Sequence, residues 1–251
     1  MKAGAVTRVI GKSAGRWAPL QNVTICARAL QQTMNRPANL PGFVVLYGQS
    51  GYGKSMAASY CANKYDGIYV ECRSFFRQQR TFLEAILQEM NIRPERTIGA
   101  MMNQIAYELD LSQRPLILDE MDHVVCTKSL ELVRDLHEMA RTTILMVGEQ
   151  DFPKKFLKAS PRGHNRVSFW APAQPATLDD SLKLAEHYCA GQAAEDLVEH
   201  FRKLTQGVHR YICSNLGRVP PLCSELGLRK IDLDTWGKRE VYTGDAPRRP
   251  M

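Results

Sequence analysis

The sequence predicts an α/β domain in which strands and helices alternate, followed by a small all-helical unit. Three observations carry this expectation. Short apolar runs of strand length, at 43–47, 67–72, 115–120, 142–148 and 167–170, are separated by segments of helical periodicity. The first run leads straight into Gly48-Gln49-Ser50-Gly51-Tyr52-Gly53-Lys54-Ser55, a glycine-rich loop that opens a helix. Beyond Pro172 and Pro175 no further strand-like run occurs, and only helical patterns follow. At 251 residues the chain is long enough for one such domain with its appendage.

Residues 1–21 carry Gly4, Gly11, Gly15 and Pro19 among basic side chains and read as an irregular arm. No acid precedes Asp66, whereas Lys2, Arg8, Lys12, Arg16, Arg28, Arg36, Lys54 and Lys64 supply eight positive charges. The chain as a whole carries +7, so everything after this quarter is close to neutral. That asymmetry suits a polyanionic partner, nucleic acid or a membrane surface, and otherwise serves solubility. At 22–34, Val23, Ala27, Leu30 and Met34 recur at helical spacing until Asn35-Arg36-Pro37 stops them. In nucleotide-binding domains of this kind the segment before the first strand often touches the base, which makes 17–36 a candidate wall for adenine.

The loop at 48–55 has the spacing G-x-x-x-x-G-K-[ST] between a strand and a helix, the context a phosphate-binding loop requires. Its glycines let backbone N–H groups of Gly48, Gln49, Ser50, Gly51, Tyr52 and Gly53 turn inward as an anion nest, with Met56 in the first turn of the helix. Lys54 would reach the β- and γ-phosphates of a nucleoside triphosphate, and the Ser55 hydroxyl would ligate Mg²⁺.

After the strand at 67–72 come Arg73, Arg77 and Arg80 with Phe75 and Phe76 between them. Working loops of α/β proteins sit at this end of a strand, and arginine suits phosphate contacts that give affinity without reading sequence. These three arginines are the expected contact to duplex DNA. Helices are expected at 81–90 and 98–109. The run at 115–120 ends in Asp119 and Glu120, 65 residues beyond Lys54. Asp119 suits a metal ligand acting through the water shell, and Glu120 suits polarisation of the attacking water.

A helix is expected at 129–140, then the strand at 142–148, ending in Gly148 and followed by Glu149. A polar residue there is placed to sense the γ-phosphate. A short basic helix spans 152–158, and Arg162 and Arg166 precede the last strand. Helices at 177–188, 193–205 and 208–216 make up the appendage, where Gly207-Val208-His209-Arg210 sets an arginine in a first helical turn. From 229 on, Gly237, Gly244, Pro247 and Pro250 suggest a disordered tail. The expected divisions are an arm at 1–21, a nucleotide-binding core at 22–171, a helical unit at 172–228 and the tail at 229–251.

Seven scattered cysteines, none in a C-x-x-C pair, read as reduced thiols in a cytoplasmic protein. No apolar run approaches the ~20 residues of a membrane span.

The order of motifs, "VLYGQSGYGKS … YVEC … LILDE … ILMVGEQ … RV … PAQPATLDD" and then G-x-x-R, resembles that of AAA+ ATPases. Within them it is similar to the transposition branch, the target-DNA activators of Mu-like phages and Tn7-like elements, over residues 22–220. The resemblance implies a five-stranded parallel sheet with a C-terminal helical lid, ATP and Mg²⁺ as cofactors, and slow ATP hydrolysis. It places Arg210 against the γ-phosphate and makes Arg166, with Arg162 as second choice, the arginine offered to a neighbouring subunit's nucleotide. It further implies a homo-oligomer, ring or helical filament, on duplex DNA, and a transposase as partner. One departure stands out. The sensor after the fourth strand is usually Asn, Ser or Thr, and here Gly148 is followed by Glu149 and Gln150. A helicase loader or replication-initiation ATPase would share the same core. A small-molecule kinase would need its lid inserted within the core, whereas the helical unit here follows the last strand.

Overall fold

The structure is a computed structural model and describes residues 19–37 and 39–245. Most of the basic arm, 1–18, therefore lies outside the described residues, as does 246–251. The core runs α1 (Gln21–Met34), β1 (Phe43–Tyr47), α2 (Lys54–Lys64), β2 (Ile68–Glu71), a 3₁₀ turn (Ser74–Arg77), α3 (Gln79–Glu89) and α4 (Ile98–Ser112). It continues through β3 (Leu116–Asp119), a second 3₁₀ turn (Met121–His123), α5 (Thr127–Ala140), β4 (Ile144–Gly148), α6 (Phe152–Ala159), α7 (Pro161–His164) and β5 (Val167–Pro172). The helical unit is α8 (Leu178–Cys189), α9 (Glu195–Leu204), α10 (His209–Leu216), α11 (Val219–Leu226) and α12 (Leu233–Trp236).

The five strands form one parallel sheet in the order β2-β3-β4-β1-β5. Its apolar runs are buried on both faces, as a helix-covered parallel sheet requires. Alternation along each strand sorts the side chains. Phe43, Val45, Leu116, Leu118, Ile144 and Met146 pack towards α3, α4, α5 and α6. Val44, Leu46, Ile117, Leu145 and Val147 pack towards α1 and α2. Because all strands run the same way and β3, β4 and β1 are neighbours, their C-terminal ends meet along one edge. The residues that follow those ends are thereby brought together.

Most expected helices are found with ends shifted by a few residues, and β5 runs on through Pro172. That proline is tolerated because β5 is an edge strand, paired on one side only. The expectation of a disordered tail from 229 is not met in the described part, up to 245. Ile231 bridges to Ala193 and its N–H donates to the Gln192 carbonyl at 2.8 Å. Trp236, 1% exposed, stands edge-on to Phe201 at 4.9 Å, donates Nε1–H to the Arg239 carbonyl and lies under the Arg218 guanidinium. Glycines and charges around it read as a tail; a single large aromatic anchors it instead. Trp236→Ala is expected to destabilise the helical unit by about 3–5 kcal/mol, measured as a lowered midpoint in urea unfolding of the full chain.

Candidate nucleotide site

The loop leaves β1 at Tyr47 and enters α2 at Lys54. Gly51 at φ 84° and Gly53 at φ 75° hold left-handed backbone that turns N–H groups into the loop. At Gly51 a Cβ would also come 2.7 Å from Val208 Cγ1, so the lid closes directly onto this glycine. Lys54 is buried, 8% exposed, and its ammonium donates to the carbonyls of Gly48 at 2.7 Å and Gln49 at 2.8 Å and pairs with Glu149 at 3.3 Å. All three donors are thus engaged, so phosphate would be gained in exchange for these partners. Ser55 and Met56 are exposed in the first turn of α2.

Asp119 is 1% exposed and both carboxylate oxygens are held. Oδ1 accepts the Glu120 N–H at 2.8 Å, and Oδ2 accepts the Tyr69 hydroxyl at 2.6 Å. Burial and the Asp119 carboxylate push the Tyr69 phenol up, which keeps it a donor. Glu120 adopts left-handed backbone at φ 54°, a conformation that costs a bulky residue about 1–3 kcal/mol and clusters at working sites. Burial, then Asp119 and Glu149, raise its pKa above the ordinary carboxylate value. That makes its carboxylate the better proton acceptor.

These groups line one cavity of about 570 Å³ between the loop and the helical unit. Ser50, Gly51, Gly53, Lys54, Ser55, Glu120 and Glu149 form its floor. Leu20 and Val23 of the segment before β1, with Leu184 and Tyr188 of α8, form an apolar wall wide enough for a base. Arg210 lines it from α10, its N–H donating to the Gly51 carbonyl at 3.1 Å and its side chain exposed. Lys54, Glu120, Glu149 and Arg210, separate in sequence, therefore face one space, with Asp119 buried behind Glu120.

The donor set fits magnesium held mainly by phosphates. Among the described residues no cluster of three or more His, Cys, Asp or Glu side chains could hold a metal ion. Mg²⁺ keeps several waters and is bound through one or two carboxylates plus substrate phosphates. The exposed Ser55 hydroxyl and a carboxylate already in two hydrogen bonds match that habit.

Other expected residues lie elsewhere. Arg166 immediately precedes β5, where its carbonyl accepts from the Phe43 N–H at the start of β1. It is therefore at the opposite end of the sheet from this chain's own loop, and Glu138 holds its guanidinium at 2.8 Å. Arg162, in α7, is exposed and forms no ion pair among the described residues. Arg73, Arg77 and Arg80 are all exposed around the 3₁₀ turn after β2, beside Phe75 at 61% exposure. Arg77 donates to the His123 carbonyl at 3.0 Å, and Arg80 pairs with Glu84 at 2.8 Å.

Two residues that the sequence reading passed over hold the site together. Asn22, 2% exposed, donates to the carbonyls of Tyr52 and Gln174 and accepts the Gln174 N–H, each at 2.8 Å. It ties α1, the loop and the strand-to-lid linker into one unit. Asp180 closes the capping box of α8 with Thr177 and accepts the Gln21 N–H at 2.9 Å. Asn22 leaves only a polar residue on the apolar face of a helix as its sequence signal, whereas Asp180 leaves the T-x-x-D spacing of a capping box.

Residues 38–156 match a protein family described as an AAA domain. The chain has the AAA+ P-loop NTPase fold. Solved structures agree with it at low identity. The ORC2 protein of Aeropyrum pernix in ADPNP–ADP complexes superposes with a TM-score of 0.64 at 14% identity, covering 85% of this chain and 65% of that one. Domain III of the Thermotoga maritima replication initiation protein DnaA gives 0.54 at 14%, covering 87% and 91%. The Aeropyrum pernix ORC1 protein in complex with DNA gives 0.55 at 15%, covering 85% and 62%. The chain spans less than two thirds of the length of the two Aeropyrum chains, and at these identities the likeness is one of fold. No curated protein matches the sequence. The cavity lies between the sheet edge and the helical unit, where Lys54, Glu120, Glu149 and Arg210 converge. Among the described residues no helix is long and apolar enough to cross a membrane.

Proposed function

We propose that this chain is an ATP-hydrolysing switch that assembles head to tail on duplex DNA without reading its sequence, and so selects and activates target DNA for a transposase. The observation that carries the reading is the single cavity into which Lys54, Glu120, Glu149 and Arg210 project from the loop, the sheet edge and the lid. In it the loop N–H groups and Lys54 bind the phosphates of ATP, Arg210 reports the γ-phosphate to the lid, and Glu120 draws a proton from the attacking water. Ser55, and Asp119 through water, would hold Mg²⁺, which would neutralise charge on the phosphates.

Arg166 and Arg162 lie too far from this chain's own loop to act there, which supports a role on a neighbour's nucleotide. Arg162, exposed and without an ion pair among the described residues, is the freer of the two. A contact of one face with a different face of the next copy gives a ring if the rotation closes and an open helix if it does not. Arg77 joins the 73–80 segment to the turn that follows Glu120. DNA held by that segment would therefore bear on the hydrolytic carboxylate, which supports DNA-stimulated turnover.

Electron microscopy of the protein with ATP and duplex DNA tests the reading. ATP-dependent rings or filaments on DNA are expected, and monomers indifferent to nucleotide would end it. A second reading, replication initiation or helicase loading, draws on the likeness to the DnaA domain and to the DNA-bound ORC1. Stimulation of strand transfer by a transposase supports the first; capture of a replicative helicase supports the second. For the DNA surface, Arg73→Ala is expected to lower affinity for all sequences alike. It should reduce the slope of log affinity against log salt by about 0.9, with the melting midpoint unchanged. An unaltered slope removes Arg73 from the interface.

A further inference from the structure

His209 opens α10 against the phosphate loop and is 5% exposed. Both ring nitrogens are buried and neither has a hydrogen-bond partner among the described residues. The buried His137, by contrast, meets the Thr142 carbonyl through Nδ1 at 2.7 Å. A neutral imidazole carries one donor and one acceptor, and leaving both unmet in the interior is a standing cost to the fold. Packing does not require it. His209 stands on the buried face of α10 with Ile212 and Leu216, three and seven residues on, where an apolar side chain would serve as well.

Its surroundings point to a ligand. The ring lies 6.4 Å from that of Tyr52, centroid to centroid, and a Cβ on Gly53 would be 3.9 Å from it. It lines the cavity together with Gly51, Gly53 and Lys54, the anion nest of the loop. Tyr52 and Lys54 on the loop, Arg210 on its own helix, Asp180, His187 and Tyr188 on α8, and Glu120 and Glu149 across the floor are the charged and titratable groups around it. Burial lowers its pKa, with Asp180 acting weakly in the other direction, so the ring is neutral at pH 7 and donates through one nitrogen.

We propose that His209 is a nucleotide-contacting residue whose ring donates a hydrogen bond to a phosphate oxygen of the nucleotide seated in the loop. The ligand then supplies the partner that the ring lacks, and phosphate adds a bond to the contacts that already hold the lid against the loop. This rests on the ATP-binding reading above and adds to it a lid contact one residue before Arg210.

The test uses the full chain with His209→Leu and His209→Gln, titrated with ATP and with ADP and melted with and without each nucleotide. Removing the orphaned nitrogens is expected to leave the melting point of the nucleotide-free protein unchanged or higher in His209→Leu. Its ATP dissociation constant should rise roughly tenfold to a hundredfold, the worth of a hydrogen bond to a charged group. His209→Gln should recover part of that loss. The proposal is overturned if His209→Leu binds ATP as tightly as the parent, or if affinity falls only in step with the stability of the free protein. Should the parent itself bind no ATP, the nucleotide reading fails first; a parent that binds and a leucine variant that matches it sink this inference alone.

Discussion

Lys54→Ala is expected to abolish ATP binding and, with it, all nucleotide-dependent assembly on DNA. The Lys54 ammonium is buried at the floor of the cavity, where charge-assisted hydrogen bonds are worth about 1.5–3 kcal/mol each. Two such bonds to phosphate oxygens correspond to a loss on the order of a hundredfold or more in affinity. Arginine is a poor substitute, because its planar fork cannot reproduce three converging donors. The folded state should survive the change, since Glu149 and Gln49 keep solvent contact and only the buried Gly48 carbonyl loses its donor, at a cost of about 1–3 kcal/mol. Titration with a fluorescent ATP analogue and a DNA-binding assay with and without ATP check both halves. DNA binding that still responds to ATP in Lys54→Ala would remove the loop from control of assembly.

Much of the site was legible because its chemistry is local in sequence. A loop that must wrap a phosphate needs glycines at fixed offsets, and a strand that must present acids to it ends in them, so residues 48–55 and 119–120 announce themselves. The sheet was legible too, since apolar runs at β1, β3 and β4 have no solvated face. What sequence spacing does not carry is contact across elements. The pairing of Glu149 with Lys54 depends on β4 lying next to β1, and nothing within residues 142–150 states that order. Asn22 and Asp180 read as ordinary polar residues of helices, and only the closed fold shows that each bonds a backbone from a distant segment. Trp236 fails in the opposite way. Glycine and charge dominate its neighbourhood, yet one aromatic with a ready pocket against Phe201 is enough to pin the segment.

The departure at the γ-phosphate sensor has a consequence for assembly. Where Asn, Ser or Thr would offer a neutral hydrogen bond, this chain offers a carboxylate already paired with the loop lysine. On the proposed function a phosphate at Lys54 would displace Glu149, whose backbone N–H is fastened to Asp122 at 2.5 Å, and Asp122 in turn holds Lys155 of α6. Exchange of one partner at Lys54 is thus connected to the helix that leads to Arg162 and Arg166, the residues proposed to serve the neighbouring subunit.

Glu120→Gln should separate binding from turnover. The amide keeps the size and the left-handed backbone of Glu120 but cannot take a proton, so hydrolysis is expected to fall about 10²–10⁴-fold, the usual contribution of a positioned general base. Nucleotide affinity should change little, because Lys54, the loop N–H groups and Arg210 carry it. It should if anything improve, since the replacement removes one negative charge from a site where Asp119 and Glu149 already repel Glu120. ATP-bound assemblies would then form on DNA and persist, with a dissociation rate after dilution well below the parent's. An Asp119→Asn variant should behave differently, losing Mg²⁺-dependent binding as well as turnover. If Glu120→Gln releases DNA at the parental rate while its hydrolysis is lost, hydrolysis does not drive disassembly. If it hydrolyses ATP at the parental rate, the attacking water is activated by another group, and Glu149, which also faces the cavity, becomes the residue to replace next.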